Sequence, residues 1–224
     1  MMILKQENTG MLRTYVIRLL FVSLLVPLAL PANGQQRQKQ VLFFGDSITA
    51  GMGVNKSQAY PALIQQRIDS LGWNFEVRNG GLSGETSAGG LRRIDWMLRQ
   101  PVDVFILELG GNDGLRGIEV RATKQNLQKI IDKVREKYPD ARIVLAGMQV
   151  PPNLGQQYTS DFRQMYQDLA RSNNLPFIPF ILEGAALDPD LMQSDDIHPN
   201  AEGHKVVADN VWEVLKPVLR EMRS

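Results

Sequence analysis

The fold of this chain is predicted best from residues 41–47, which read Val41-Leu42-Phe43-Phe44-Gly45-Asp46-Ser47. Four consecutive apolar residues are typical of a short strand that is buried on both faces of a sheet. Gly45 then permits a sharp turn, and Ser47 follows at the point where such a strand ends. Aspartate and serine are also common helix caps, so this stretch alone fits either a structural turn or a catalytic one.

Outward from this strand, short apolar runs alternate with longer segments of helical spacing. The apolar runs predict strands at 41–44, 75–77, 102–109, 143–146 and 177–181. Helical spacing predicts helices at 60–71, 91–98, 122–138, 159–173 and 201–219. Strands that alternate with helices form parallel βαβ units with helices on both faces of the sheet. The sequence therefore predicts an α/β protein, a three-layer α/β/α sandwich of about five parallel strands.

Histidine is rare in this chain, which has only two, and this narrows the search for a general base. His198 follows Asp195 by three residues, in a loop before the last predicted helix. A serine becomes a nucleophile when an imidazole removes its proton and a carboxylate orients that imidazole. We therefore predict a catalytic triad of Ser47, His198 and Asp195. The alternative orienting carboxylate is Asp196, which we expect to point elsewhere. The alternative base is His204, which we expect instead to be a partly exposed histidine of the final helix.

Two glycine-rich turns follow the second and third predicted strands. The turn at 79–86 contains Gly84, and the turn at 110–114 contains Asn112. Both fall beyond the carboxyl ends of strands, where open α/β sheets bind their ligands. The backbone N–H of Gly84 and the side-chain amide of Asn112 are donors of the kind that a developing oxyanion needs. These residue types also dominate ordinary turns, but two such turns at one edge favour a catalytic role.

The motifs resemble those of the SGNH (GDSL) hydrolases, whose four sequence blocks match here in order over nearly all of residues 40–219. The blocks are Gly45-Asp46-Ser47, Gly84, Gly110-Gly111-Asn112-Asp113 and Asp195-x-x-His198. Within that superfamily, the run 107–117 is similar to the bacterial periplasmic enzymes that act as acyl-CoA thioesterase, lysophospholipase and arylesterase.

This resemblance implies a flavodoxin-like sheet of strand order 2-1-3-4-5. It also implies that Ser47 is the nucleophile of a serine esterase that forms an acyl-enzyme intermediate. The oxyanion donors would be the N–H of Ser47, the N–H of Gly84 and the amide of Asn112. The substrate would be a small acyl ester, thioester or lysophospholipid, and no cofactor would be required.

The N-terminal segment has the pattern of a secretory signal. Arg13 and Arg18 precede a short apolar run at 19–30, and small residues follow up to Gly34. The run is short for a membrane span, which needs about 20 apolar residues, although an uncleaved anchor is the alternative. We expect residues 1–34 to be a signal peptide, residues 35–224 to be a single hydrolase domain, and the protein to be periplasmic or secreted.

Composition excludes several classes of function. The whole chain has a formal charge of +1 and residues 1–34 contribute +2, so the mature domain has a charge of −1 and no electrostatic basis for binding nucleic acid. Cysteine is absent, which excludes disulfides, thiolate metal sites and an acylated cysteine anchor. A zinc site would need both histidines, and we predict no metal. The chain contains neither Gly-x-Ser-x-Gly nor a Walker A loop.

Two other functions remain open at this point. The same residues would serve a carbohydrate O-acetyl esterase, and a non-catalytic module for binding glycans or lipids belongs to a different class. Leu115, Ile118 and the segment 151–154 lie in loops after the third and fourth strands, where they can form an apolar wall for an acyl chain. This wall favours an acyl ester over the carbohydrate ester.

Overall fold

The computed structural model describes residues 37–223 and, apart from them, Met2. The strands of this part are β1 (Lys39–Gly45), β2 (Phe75–Asn79), β3 (Val104–Glu108), β4 (Arg142–Ala146) and β5 (Phe177–Ile178). Its α-helices are α1 (Ser47–Ala50), α2 (Tyr60–Ser70), α3 (Ser87–Met97), α4 (Gly111–Leu115), α5 (Val120–Lys137), α6 (Gln156–Asn173) and α7 (Ala201–Glu221). Short 3₁₀ helices span Lys56–Gln58 and Pro152–Leu154. The signal peptide predicted for residues 1–34 lies outside the described residues, except at Met2.

The five strands form one parallel sheet of order β2-β1-β3-β4-β5, which confirms the predicted fold class and strand order. The central pair, β1 and β3, aligns Gly45 with Glu108, so both strands end at the same level. Strand β5 is shorter than the predicted 177–181. Pro179 has no N–H to donate to a ladder, and the chain leaves the sheet there.

The helices cover both faces of the sheet. Helices α2 and α7 pack together on one face, while α5 packs against α3 and α6 on the other. All residues of β3 and the last five residues of β1 are buried, as expected for central strands of a three-layer sandwich. None of the helices within the described part is long and apolar enough to cross a membrane.

This topology determines where a ligand site can form. The chain runs from β1 to β2 on one side and continues to β3 on the other side of β1, so the strand order reverses between β1 and β3. Ligands of such sheets bind in the crevice beyond the carboxyl ends of the strands at this switch point. Ser47 follows β1 and Asn112 follows β3 at that crevice.

Candidate active site

Ser47 lies where β1 ends and α1 begins. Asp46 is the N-cap of this helix, and its Oδ1 accepts a hydrogen bond from the backbone N–H of Ile48 over 3.0 Å. Ser47 is therefore the first residue of the helix, where a backbone N–H has no partner within the helix. The capping function belongs to Asp46, so the hydroxyl of Ser47 remains available for another partner.

The structure brings Ser47, His198 and Asp195 into one hydrogen-bonded row. Oγ of Ser47 lies 2.8 Å from Nε2 of His198, and Nδ1 of the same ring lies 2.6 Å from Oδ2 of Asp195. When Nδ1–H donates to the carboxylate, Nε2 is left to accept the proton of the serine hydroxyl. The arrangement is suited to general-base activation of a serine.

Asp195 is held by its own loop. Its Oδ1 accepts hydrogen bonds from the backbone N–H groups of Ile197 and His198, each over 3.0 Å. Burial raises the pKa of this carboxyl, but the hydrogen bonds from the ring and backbone of His198 and from Ile197 outweigh it and lower the pKa to about 2. The carboxylate therefore stays ionised throughout the weakly acidic range. Asp196 is exposed and does not take this place.

The loop that holds His198 is tied to the end of α1 by one glutamine. Nε2 of Gln193 donates to the carbonyl oxygens of Met52 over 2.7 Å and of Pro199 over 2.9 Å. The backbone N–H of Gln193 donates to the carbonyl of His198 over 2.8 Å. Met52 lies two residues after the helix that begins with Ser47, and its N–H donates to the carbonyl of Ser47 over 3.0 Å, so these bonds fix the imidazole relative to the hydroxyl.

Asn112 reaches the same place from α4. Its Nδ2 donates to Oδ2 of Asp46 over 3.2 Å, which fixes the orientation of the amide. The amide nitrogen carries two hydrogens, and the bond to Asp46, the neighbour of Ser47 in the chain, uses one of them. Burial raises the pKa of Asp46 to about 6, against the opposing effects of the Ile48 N–H, His198 and the Asn112 amide. The carboxylate is accordingly ionised, and a better acceptor for that amide, above this pH.

Gly84 belongs to the β2–α3 loop, by which we mean residues 80–86. The backbone N–H of Leu82 donates to the carbonyl of Gly45 over 3.0 Å, so this loop lies directly against the turn before Ser47. Gly84 has a φ of 77°, in the left-handed region that favours glycine. A Cβ there would approach only Nη2 of Arg116, at 3.9 Å. The backbone conformation, rather than crowding, therefore requires glycine.

The structure corrects the prediction for His204, which is buried and not partly exposed. Only 1% of this residue is accessible, and Nδ1 accepts a hydrogen bond from the backbone N–H of Tyr60 over 3.3 Å. Burial, reinforced by the nearby His198, lowers the pKa of His204 to about 4. It is a neutral core residue at physiological pH, packed where α7 meets α2.

A buried acidic network beneath the turn was not predicted. Oε2 of Glu108, a fully buried residue, accepts from Thr49 Oγ1 over 2.6 Å and from the N–H of Asp46 over 3.2 Å. Burial, together with the charge of Asp46, raises the pKa of Glu108 well above its usual value. A Cβ on Gly45 would lie 2.3 Å from Oε2 of Glu108, so close packing requires this glycine. The sequence did contain a signal for this network, because Glu108 is a charged residue within the apolar run 102–109.

The residues predicted to form an acyl-binding wall are partly accessible. Leu115 is 45% exposed at the end of α4, and Ile118 and Leu154 are half-buried. Among the described residues, no group of three or more histidine, aspartate or glutamate side chains is placed to hold a metal ion.

The fold and the site are those of the SGNH hydrolases. The features in question are the three-layer sandwich of this strand order and the hydrogen-bonded row of a serine, a histidine and an aspartate. The chain belongs to the GDSL-like lipase and acylhydrolase family, whose model matches residues 43–206. That family consists of ester hydrolases, and this chain is an enzyme of that kind.

Three relatives give the family assignment its detail. The chain is 40% identical over 194 residues to the esterase TesA of Pseudomonas aeruginosa, covering 86% of this chain and 96% of that protein. It is 37% identical over 180 residues to thioesterase 1/protease 1/lysophospholipase L1 of Escherichia coli, covering 80% and 84% of the two chains. The crystal structure of a psychrotrophic esterase, EstA from Pseudoalteromonas sp., superposes with a TM-score of 0.76 at 31% identity, covering 81% of this chain and 99% of that one.

Proposed function

We propose that this protein hydrolyses acyl esters and thioesters through a Ser47–His198–Asp195 triad. The observation that supports this most directly is the continuous row of hydrogen bonds, 2.8 Å from Ser47 to His198 and 2.6 Å from His198 to Asp195. Relatives named esterase and thioesterase 1/lysophospholipase L1 agree with it.

Catalysis proceeds in two halves. Nε2 of His198 takes the proton of Ser47 as Oγ attacks the acyl carbon, and Asp195 stabilises the imidazolium that forms. The tetrahedral oxyanion accepts hydrogen bonds from the N–H of Ser47, the N–H of Gly84 and the amide of Asn112. His198 then protonates the departing alcohol or thiol, which leaves an acyl-enzyme on Ser47. A water molecule, activated by the same imidazole, releases the carboxylic acid.

We infer the substrate class from the apolar residues of the segments that follow β3 and β4. Leu115, half-buried Ile118 and Leu154 offer apolar contacts to an acyl chain. We expect a short- to medium-chain acyl ester, thioester or lysophospholipid. Each buried CH₂ contributes up to about 0.8 kcal/mol, which corresponds to about a fourfold rise in kcat/KM per CH₂ until the wall is filled.

A series of p-nitrophenyl esters from acetate to palmitate tests this substrate class. We expect kcat/KM to rise from acetate into the medium chains, and Leu115→Ser to flatten that rise. Leu71→Ser is the matched control. Leu71 is equally accessible at 44%, but it precedes β2 and so lies at the amino ends of the strands, away from the proposed site. Activity confined to acetate, with release of acetate from acetylated polysaccharide, would instead identify a carbohydrate O-acetyl esterase. Absence of any hydrolysis would favour a binding module.

The amide of Asn112 has a graded expected effect. Asn112→Ala should lower kcat about 10²–10³-fold and change KM little, because the lost donor serves the oxyanion and not the bound ester. Steady-state kinetics on p-nitrophenyl butyrate measure both constants. The exposed Asn74, which precedes β2 at the amino ends of the strands, is a matched control, since Asn74→Ala should leave kcat near the wild-type value. A rise in KM alone would place Asn112 in substrate binding and contradict the oxyanion assignment.

We also propose that the protein is exported and that its mature form begins near Gln35. The support is the sequence pattern of residues 1–34, with small residues up to Gly34. N-terminal sequencing of the protein from its native host measures this directly. A soluble fraction that retains Met1 or Met11 would contradict it.

A further inference from the structure

A single arginine contacts both ends of the β2–α3 loop that contains Gly84. Nη1 of Arg93, on α3, donates to the carbonyl of Gly80 at the start of the loop over 3.0 Å. Nε of Arg93 forms an ion pair with Oε2 of Glu85 near the end of the loop, at 2.5 Å. The four residues between these contacts include the proposed oxyanion donor.

The environment of Arg93 restricts the movement of its side chain and strengthens these contacts. Its side chain is 20% exposed and that of Glu85 only 7%, so solvent screens the pair far less than it would screen a surface ion pair. The guanidinium carbon of Arg93 also lies 4.3 Å from the centroid of the Phe44 ring, within the range of a cation–π contact. Phe44 immediately precedes Gly45 in β1. Arg93 therefore ties the loop to the strand that leads to the nucleophile.

The planar guanidinium is suited to this task. It offers donors at fixed angles, so one side chain satisfies the Gly80 carbonyl and the Glu85 carboxylate while its plane faces the ring of Phe44. A lysine has a single nitrogen on a flexible stem and does not reproduce that geometry. The requirement is for the shape of arginine as well as for its charge.

We propose that Arg93 is a positioning residue for the oxyanion site: by bonding Gly80 and Glu85 and packing on Phe44, it holds the Gly84 N–H at the place where charge develops on the substrate. This inference rests on the proposed function, in which the Gly84 N–H donates a hydrogen bond to the oxyanion. Arg93 does not touch the reacting atoms. It acts through the loop, and a displacement of about 1 Å in such a group lowers the rate by about 10²-fold.

The test compares Arg93→Lys with Arg92→Lys. Arg92 is the neighbouring arginine on α3, is exposed, and so serves as the matched control. Using p-nitrophenyl butyrate, we expect Arg93→Lys to lower kcat about 10- to 100-fold with KM within about twofold of wild type. Arg92→Lys should match wild type in both constants. Near-ultraviolet circular dichroism at the assay temperature establishes that the variants are folded.

Three results would overturn the proposal: a kcat of Arg93→Lys within twofold of wild type, equal losses in both variants, or a change confined to KM. If Arg93→Lys does not fold, Glu85→Gln is the variant that tests the proposal. Glutamine has nearly the same size as glutamate and keeps an acceptor oxygen, but it removes the negative charge that pairs with Arg93. A severalfold loss of kcat supports the proposal, and wild-type kcat contradicts it. Failure of the proposed function is distinguishable, because the wild-type enzyme would then not hydrolyse p-nitrophenyl butyrate.

Discussion

Ser47→Ala is expected to lower kcat about 10⁴- to 10⁶-fold on any ester that the wild-type enzyme hydrolyses. The reason is that Oγ of Ser47 is the hydroxyl hydrogen-bonded to Nε2 of His198, and loss of the nucleophile removes the acyl-enzyme route altogether. The side chain loses one oxygen, and α1 keeps its cap at Asp46, so the fold should persist. Steady-state rates on p-nitrophenyl butyrate, with circular dichroism of the variant, measure both effects.

The control for this prediction is Ser57→Ala. Ser57 is an exposed serine in the 3₁₀ helix Lys56–Gln58, and its replacement should leave kcat near the wild-type value. A folded Ser47→Ala enzyme that retains a tenth of the wild-type rate would show that another residue is the nucleophile.

Asp195→Asn is expected to lower kcat about 10⁴-fold. An amide at this position can donate to Nδ1 of His198, which would place the ring proton on Nε2, facing Ser47. The imidazole would then be unable to accept the serine proton. Because the pKa of Asp195 is lowered to about 2, its carboxylate is lost only as the pH falls toward that value. The wild-type enzyme should therefore keep this carboxylate ionised over the whole weakly acidic range, and an NMR titration of the Asp195 carboxyl carbon measures whether it does.

Asp196→Asn and His204→Ala are the controls for the triad. Asp196 is the exposed neighbouring carboxylate, and its φ of 57° is one that asparagine tolerates, so Asp196→Asn should have little effect. His204→Ala should reduce stability through a buried cavity and affect catalysis less than His198→Ala, which should be as severe as Asp195→Asn. If the change at His204 proves the more harmful to kcat of the folded enzyme, His198 is not the base.

The parts of this molecule that local sequence patterns determine were predicted well. The apolar run 41–44, the run 102–109 and the helical spacing between them predicted the central strands and the layers, because buried parallel strands admit few other patterns. The strand order came from the resemblance to a known family. The scarcity of histidine led directly to His198, and the structure places it against Ser47 and Asp195.

The features that were missed depend on packing between distant segments. His204 reads as a polar residue on an amphipathic helix, yet its environment is set by Tyr60, 144 positions away. Glu108 interrupts an apolar strand, but its partner Thr49 is 59 positions distant. Contacts between residues so far apart in the chain cannot be read from a single sequence. Strand β5 ended early because Pro179 lacks an N–H, a signal that the sequence did contain.

We expect Ser47 to form a covalent intermediate with the acyl group. The most direct measurement is intact-mass and peptide mass spectrometry after reaction with an alkyl p-nitrophenyl phosphonate, which mimics the tetrahedral intermediate. We predict one phosphonyl group per chain, located on the peptide that contains Ser47, and none in Ser47→Ala. Labelling of a different residue, or equal labelling of Ser47→Ala, would show that Ser47 is not the nucleophile.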